Sequence, residues 1–197
     1  MTGMASALLV NGGFEIGDFT GWTVNVPHGA SAGVVANHTG WGGTFYTPVE
    51  GSWFALLKTD GPATYTTARQ SLSLPAGGWF SGHAAFDWRD YDPYNDVAYV
   101  KIYDGSMALV ATPWSESGVG HPDYWDGPWT PWSWTATAPD TYTLELGVAN
   151  IGDSVLDSYG LFDANVGVIP EPTTMLLLGL GLVGLSGLGR KKIFKRG

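Results

Sequence analysis

Between residues 8 and 167 the chain consists of short segments in which apolar and polar residues alternate, separated by clusters of Gly, Pro, Asn and Asp. Alternation with a period of two places successive side chains on opposite faces of a β-strand, and the intervening residue types favour turns. The region lacks the periodicity of an amphipathic helix. The pattern predicts an all-β body of nine or ten short strands in one two-sheet sandwich. The strand candidates are residues 22–26, 53–58, 66–72, 79–88, 97–103, 109–114, 132–137, 141–148 and 160–166.

The composition supports this prediction and excludes several kinds of chemistry. Hydrophobic residues make up 44% of the chain, enough for a core, and 29 Gly and 12 Pro provide many turns. The chain has no Cys, which excludes disulfides, thiolate metal sites and cysteine nucleophiles. The four His are scattered and belong to no recognisable catalytic motif, so we expect no enzymatic activity.

The charge of the chain is divided between an acidic body and a basic end. Up to Pro172 there are 4 basic and 18 acidic residues, a net charge of −14. An acidic surface repels phosphate groups, so the body is not expected to bind nucleic acid. The remaining residues contain no acid, and their basic cluster comprises Arg190, Lys191, Lys192, Lys195 and Arg196.

The apolar block at residues 175–189 contains no charged residue. As a helix it would be about 22 Å long at about 1.5 Å per residue, which is short for a hydrocarbon core of about 30 Å. Lys and Arg beyond it can extend toward lipid headgroups, and the positive-inside rule keeps them cytoplasmic. The sequence therefore predicts a C-terminal membrane helix in contact with lipid; the alternative is a buried amphipathic helix.

Three further residues, Pro170, Glu171 and Pro172, precede this block in an extended stretch, because the two prolines prevent helix or strand continuation. A Pro-Glu-Pro motif followed by an apolar helix and a basic cluster resembles the PEP-CTERM sorting signal of Gram-negative bacteria. The resemblance covers residues 169–197. It implies an exosortase as partner, cleavage near the motif, passage through the inner membrane with the body outside, and a final location at the cell surface or in the medium.

The N-terminal residues 1–7 end in Ala5, Ser6 and Ala7, the small-x-small pattern of a signal-peptidase site. No charged or apolar leader precedes them. We expect these residues to be the remnant of a longer signal peptide; the alternative is a chance match.

The body, residues 8–168, resembles galactose-binding-like and carbohydrate-binding-module jelly rolls in three segments, residues 9–22, 70–82 and 157–166. In such folds the first and last strands lie together, and acids at positions matching Glu15 and Asp163 bind a structural calcium ion. The resemblance therefore implies a calcium site there, completed by backbone carbonyls. The alternative is that both acids are bonded only to turns.

A second calcium candidate is the acid-rich run at residues 87–96, where four oxygen-bearing side chains, Asp90, Asp92, Asn95 and Asp96, occur within one loop. Close carboxylates favour a cation that relieves their repulsion. The run lacks the spacing of an EF-hand, and the alternative is a solvated loop stabilised by Asx turns. No other cofactor is expected.

Aromatic residues are crowded between positions 114 and 134, and Trp125 and Trp129 are the candidates for exposed loop positions. Exposed aromatic faces can stack on sugar rings, although the same residues could instead pack in the core. Two functions remain open from the sequence: a non-catalytic component of the envelope or extracellular matrix, and a module that binds extracellular polysaccharide.

Overall fold

The computed structural model describes residues 9–153 and 155–167 of the chain, with side chains described up to Ala164. Twelve β-strands occur in this part of the chain. They are β1 (Thr23–Asn25), β2 (Ser31–Val35), β3 (His38–Thr39), β4 (Phe45–Tyr46), β5 (Phe54–Lys58), β6 (Tyr65–Leu74), β7 (Trp79–Asp87), β8 (Val97–Tyr103), β9 (Leu109–Ser117), β10 (Thr130–Thr135), β11 (Asp140–Ala149) and β12 (Tyr159–Gly167).

Ten of the strands form two antiparallel five-stranded sheets. The first sheet has the order β1-β6-β11-β8-β9 and the second the order β10-β7-β12-β5-β2, while β3 and β4 pair only with each other. The central strand β11 is paired on both sides along most of its length, and the central strand β12 is paired on both sides at residues 159–162. The prediction of an all-β two-sheet sandwich is therefore confirmed, and each of the nine predicted segments overlaps an observed strand.

The core lies between the two sheets and is built by the alternating residues that the sequence pattern assigns to one face. Leu144, Leu146 and Val148 of β11 and Phe162 of β12 are fully buried in it. The Phe162 ring meets the edge of Trp114 from β9 at a centroid distance of 6.2 Å. Full burial of such a side chain stabilises the fold by about 1.5–3 kcal/mol, so this layer holds the sheets together.

The second sheet is also covered on its outer face. Residues 38–53, here called the cover segment, contain β3 and β4 and lead into β5. Beneath the cover segment a smaller apolar cluster consists of Tyr46, Phe54, Ala85 and Leu161, with Trp129 packed against it. The sequence pattern does not reveal β2, β3 and β4, because β3 and β4 have only two residues each and β2 has no alternation of apolar and polar residues.

The two terminal predictions, residues 1–7 and residues 169–197, lie outside the described residues. They include the Pro-Glu-Pro motif, the apolar block at 175–189 and the basic cluster. Within the part of the chain that the structure describes, no helix is long and apolar enough to cross a membrane.

We predict that Phe162→Ala lowers the free energy of unfolding by about 3–5 kcal/mol, because it leaves a cavity between the sheets. The matched control is Phe45→Ala, which removes a ring that is 64% exposed and should change stability by no more than about 0.5 kcal/mol. Urea denaturation of the full-length chain measures both. Equal losses in the two variants would contradict the assigned core.

Candidate functional site

The cover segment is attached to the sandwich by carboxylates that accept hydrogen bonds from its backbone. Because β3 and β4 are so short, most amides of this segment have no partner in the β3–β4 pairing. Four acids supply acceptors for amides of this segment. The bonds run from Trp41 N to Asp87 (3.0 Å), from Gly42 N and Thr44 N to Asp126 (3.1 and 2.8 Å), from Val49 N and Glu50 N to Asp163 (3.0 Å each), and from Ser52 N and Trp53 N to Glu15 (2.9 and 3.1 Å).

Asp87 is the most heavily bonded of these acids and is fully buried at the end of β7. His38 Nε2 lies 2.7 Å from one of its oxygens, and Arg89 Nε donates to the same oxygen at 2.8 Å. Burial alone would raise the pKa of Asp87, but the bonds from His38 and Trp41 N and the charge of Arg89 together hold it below its usual value. Asp87 is therefore an anion that fixes the start of the cover segment.

Asp126 shapes the turn between β3 and β4. The turn closes through bonds from Gly40 N to Thr44 O (2.9 Å) and from Gly43 N to Gly40 O (3.1 Å). A Cβ at Gly40 would overlap the Asp126 carboxylate, so only glycine allows the backbone to approach this closely. The turn projects Trp41 outward, and its side chain is 55% exposed.

Three exposed aromatic rings meet around this turn. Trp41, Tyr91 and Tyr124, here called the aromatic platform, are 55%, 40% and 36% exposed. The Trp41 and Tyr124 rings stack at a centroid distance of 5.7 Å and an angle of 25°, and Tyr91 lies 6.4 Å from Tyr124. They come from three loops, those after β3, β7 and β9. The fold thus assembles a cluster of exposed rings from positions that are distant in sequence.

Polar groups lie beside the aromatic platform. The Arg89 guanidinium is 4.3 Å from the centroid of the Tyr159 ring and 5.9 Å from that of Trp41, and its Nη2 donates to Thr39 O at 3.2 Å. The cation–π contacts and the bond to Asp87 hold this side chain in place. An apolar face with a hydrogen-bond donor beside it is suited to ligands that combine apolar and hydroxyl surfaces.

The two predicted stacking residues are engaged in packing. The Trp125 ring stacks on His121 at a centroid distance of 3.6 Å and an angle of 5°, and it also packs against the core. Trp129 meets Tyr46 and Phe54 edge to face, and its Nε1 donates to Thr47 O at 3.0 Å. Both are half-buried. Their role in sugar stacking stays a prediction, and the exposed aromatic surface nearby belongs to residues that the sequence analysis did not select.

The first predicted calcium pair does lie together. A Cβ at Gly13 would be 3.8 Å from both the Asp163 Oδ1 and the Glu15 Cγ, so the two acids flank one residue of the entry segment. Burial raises the pKa of Asp163, and the amides of Glu50 and Val49 oppose that rise. The four amide bonds at 49–53 match the alternative weighed from the sequence, in which these acids bind turns. Calcium at this position stays a prediction.

The second predicted calcium set is divided by the fold. Asp90 and Asp96 are buried, whereas Asp92 is exposed and Asn95 Oδ1 accepts a long bond from Val119 N at 3.4 Å. In the described part of the chain, no three His, Asp or Glu side chains converge to hold a metal ion. A cation at this loop would therefore need another type of ligand.

The histidines show no shared site. His38 is bonded to Asp87, and His121 is paired with Glu116 at 3.0 Å while it stacks on Trp125. His83 lies on the outer face of β7, opposite Asp163 of β12. The expectation that the chain lacks catalytic activity stays a prediction.

Comparison with known proteins bears on both parts of the chain. Residues 168–192 match the PEP-CTERM protein-sorting motif, so the chain carries this signal where the sequence resemblance placed it. No curated protein matches the chain by sequence.

The sandwich itself is shared with solved structures. TmCBM61, solved in complex with β-1,4-galactotriose, superposes with a TM-score of 0.50 at 18% identity, over 83% of this chain and all of that one. The K3 cleaved adhesin domain of Lys-gingipain from Porphyromonas gingivalis W83 gives 0.51 at 15% identity, over 82% and 99%. The K1 domain of the same protein gives 0.50 at 14%, over 80% and 96%. The body therefore has the β-sandwich fold of carbohydrate-binding modules and cleaved adhesin domains.

We predict that Asp87→Ala lowers the free energy of unfolding by about 3–5 kcal/mol at pH 7, because it leaves Arg89 and the Trp41 amide without their buried partner. Asp92→Ala in the next loop is the control, since that side chain is exposed and should change stability little.

The same variant has a pH signature. Because the folded pKa of Asp87 lies below its usual value, its contribution to stability is present above about pH 4 and is lost as the pH falls through the folded pKa. The difference between the wild type and Asp87→Ala should therefore shrink in acid. A difference that stays constant from pH 7 to pH 3 would contradict the assigned role.

Proposed function

We propose that the chain is an exported, non-catalytic protein whose sandwich binds extracellular polysaccharide through the aromatic platform. The observation that carries the proposal is the exposed, nearly parallel pair of Trp41 and Tyr124, extended by Tyr91. Folded proteins seldom leave three large rings in contact with each other and with water unless the surface has a ligand. The fold shared with TmCBM61 supports the proposal without identifying the ligand.

The chemistry of the aromatic platform favours sugars. A pyranose ring has an apolar face of C–H groups that packs on an aromatic face, and its hydroxyls require polar partners at the edge. Arg89 and the carbonyl of Thr39 lie beside the rings. The net charge of −14 up to Pro172 repels polyanions, so we propose a neutral glycan rather than a sulfated or uronic-acid polymer.

The tail supplies the second half of the proposal. The sorting motif at residues 168–192 supports recognition by an exosortase while the apolar block at 175–189 lies in the inner membrane. The basic cluster would keep the extreme C-terminus cytoplasmic and place the acidic body outside. Cleavage near Pro170, Glu171 and Pro172 would then leave the sandwich at the cell surface or release it, as a component of the envelope or the extracellular matrix.

We predict that Trp41→Ala and Tyr124→Ala each weaken polysaccharide binding by at least about tenfold, since each removes half of the stacked pair. Affinity electrophoresis of the full-length chain in a mild detergent, against a panel of neutral glycans that includes β-1,4-galactan, measures this effect. Phe45→Ala is the matched control, because its ring is 64% exposed on β4 and lies outside the aromatic platform.

Two outcomes would count against glycan binding at this surface. If Phe45→Ala weakens binding as much as Trp41→Ala, the aromatic platform is not the contact surface. If the wild type binds no glycan in the panel, the structural role in the envelope or matrix is favoured instead. The parallel variants Trp125→Ala and Trp129→Ala test the positions selected from the sequence, and their melting temperatures separate lost packing from lost contact.

For the tail, we expect mass spectrometry of the exported protein to find a C-terminus near Pro172, with the apolar block and basic cluster removed. Glu171→Ala should leave the tail uncut and the protein in the membrane fraction. Wild-type protein that keeps Gly197 after export would contradict processing at this motif.

A further inference from the structure

Three fully buried polar side chains lie at one end of the sandwich interior. Asp90 is 1% exposed, and Asp96 and Asn150 are not exposed at all. In the part of the chain that the structure describes, Asp90 Oδ2, Asp96 Oδ2 and both polar atoms of Asn150 have no hydrogen-bond partner. Buried polar atoms are nearly always bonded, since an unmet group costs about 1–3 kcal/mol and a charged one more. This concentration therefore indicates a partner that is not part of the chain.

The strand register brings two of these side chains together. In the pairing of β11 with β8, Val148 lies opposite Ala98 and Ala149 opposite Val97. The bond from Asn95 N to Ile151 O continues this register beyond both strands, so Asp96 lies opposite Asn150. Asp96 is two residues from Ala98, and Asn150 is two residues from Val148. Their side chains are therefore on the same face as those of Ala98 and Val148, which are in the core. Directly opposed side chains on one face have Cβ atoms about 4.5–5.5 Å apart, so the carboxylate and the amide are neighbours.

Asp90 approaches from the second sheet. It lies two residues after Trp88, which follows β7 and is buried in the core, and its Oδ1 accepts a bond from Tyr91 N at 2.8 Å. Burial raises the pKa of Asp96 to about 7, and the negative charges of Asp90 and Asp153 add to the rise, against the hydroxyl of Ser158 and the amide of Ile151. The neighbouring Arg89 is bonded to Asp87 and Thr39 instead. The charges that act on Asp96 are therefore negative.

We propose that Asp90, Asp96 and Asn150 bind one calcium ion between the ends of the two sheets. Two carboxylates and an amide carbonyl are hard oxygen ligands of the kind that calcium takes, and neighbouring oxygens and water complete its shell of six to eight. The ligand set differs from the contiguous run in the sequence, because the fold exposes Asp92, bonds Asn95 elsewhere and adds Asn150, the residue that follows β11. Magnesium fits less well, since it retains several waters and dehydrates reluctantly.

The site would also fix the loop that carries part of the aromatic platform. Two residues of the aromatic platform donate backbone hydrogen bonds to Asp90. Tyr91 N donates to the Asp90 carboxylate at 2.8 Å, and Tyr124 N donates to the Asp90 backbone carbonyl at 2.9 Å. An ion on the other carboxylate oxygen would hold Asp90, and with it both tyrosines, against β11. Calcium binding itself does not depend on whether the aromatic platform binds a glycan.

The test uses the full-length chain in a mild detergent, stripped with EGTA and titrated with calcium. Calcium should raise the melting temperature by about 5 °C or more at one hundred times its Kd, and magnesium should not. Terbium, used as a luminescent substitute for calcium, should show emission sensitised by Trp88 and Tyr91. Asp96→Asn should abolish both effects. In EGTA at pH 8 the same variant should melt no lower than the wild type, because it removes a buried charge.

Two controls separate this site from other positions. Asp92→Asn alters an exposed acid of the same loop, and Glu15→Gln alters the acid near Asp163; both should keep the calcium response. Asp90→Asn is the second variant at the site, should Asp96→Asn fail to fold, and it should lose the response as well.

Persistence of the full response in Asp96→Asn or Asp90→Asn would overturn the proposal, as would its loss in Glu15→Gln. So would a wild type that binds neither calcium nor terbium.

Discussion

Hydrogen bonds from backbone amides to carboxylates hold the cover segment on the second sheet. A segment with only two-residue strands pairs few of its own amides, so other acceptors must hold its backbone in place. Asp87, Asp126, Asp163 and Glu15 each accept bonds from this segment, and Asp163 and Glu15 come from opposite ends of the sandwich sequence. Charged acceptors make stronger bonds than neutral ones, so a few acids replace a missing strand ladder. These bonds hold the cover segment over the outer apolar cluster, which is buried beneath it.

The aromatic platform depends on the same bonds. Trp41 is presented by a turn that is wrapped around Asp126 and attached to Asp87, while Tyr124 is tied to Asp90 through its amide. The rings therefore lie on loops whose backbones are held by hydrogen bonds, which lowers the ordering cost of binding a ligand. A body with 18 acids up to Pro172 uses several of them internally, so its negative charge is partly a structural requirement.

The body and the tail occupy separate stretches of the chain. The sandwich, with the fold of TmCBM61 and the gingipain adhesin domains, presents loops at one end, where β7, β8, β11 and β12 turn over. The sorting motif follows the last strand directly, since residue 168 comes after the end of β12. The two parts carry opposite net charges, since the residues up to Pro172 are strongly acidic and those beyond it contain basic residues and no acid.

The sequence by itself determined the features that are encoded locally. Alternation in β5 to β12 predicts strands, because the face that a side chain occupies is set by its position relative to adjacent residues in the sequence. The sorting motif is recognised because its three parts are contiguous in the sequence. Tertiary structure decided which residues are exposed and which polar atoms meet. Trp125 and Trp129 resemble Trp41 in sequence context, but only packing leaves Trp41 exposed. Asp96 lies opposite Asn150 because of a strand register between positions more than fifty residues apart, and no local pattern contains that information.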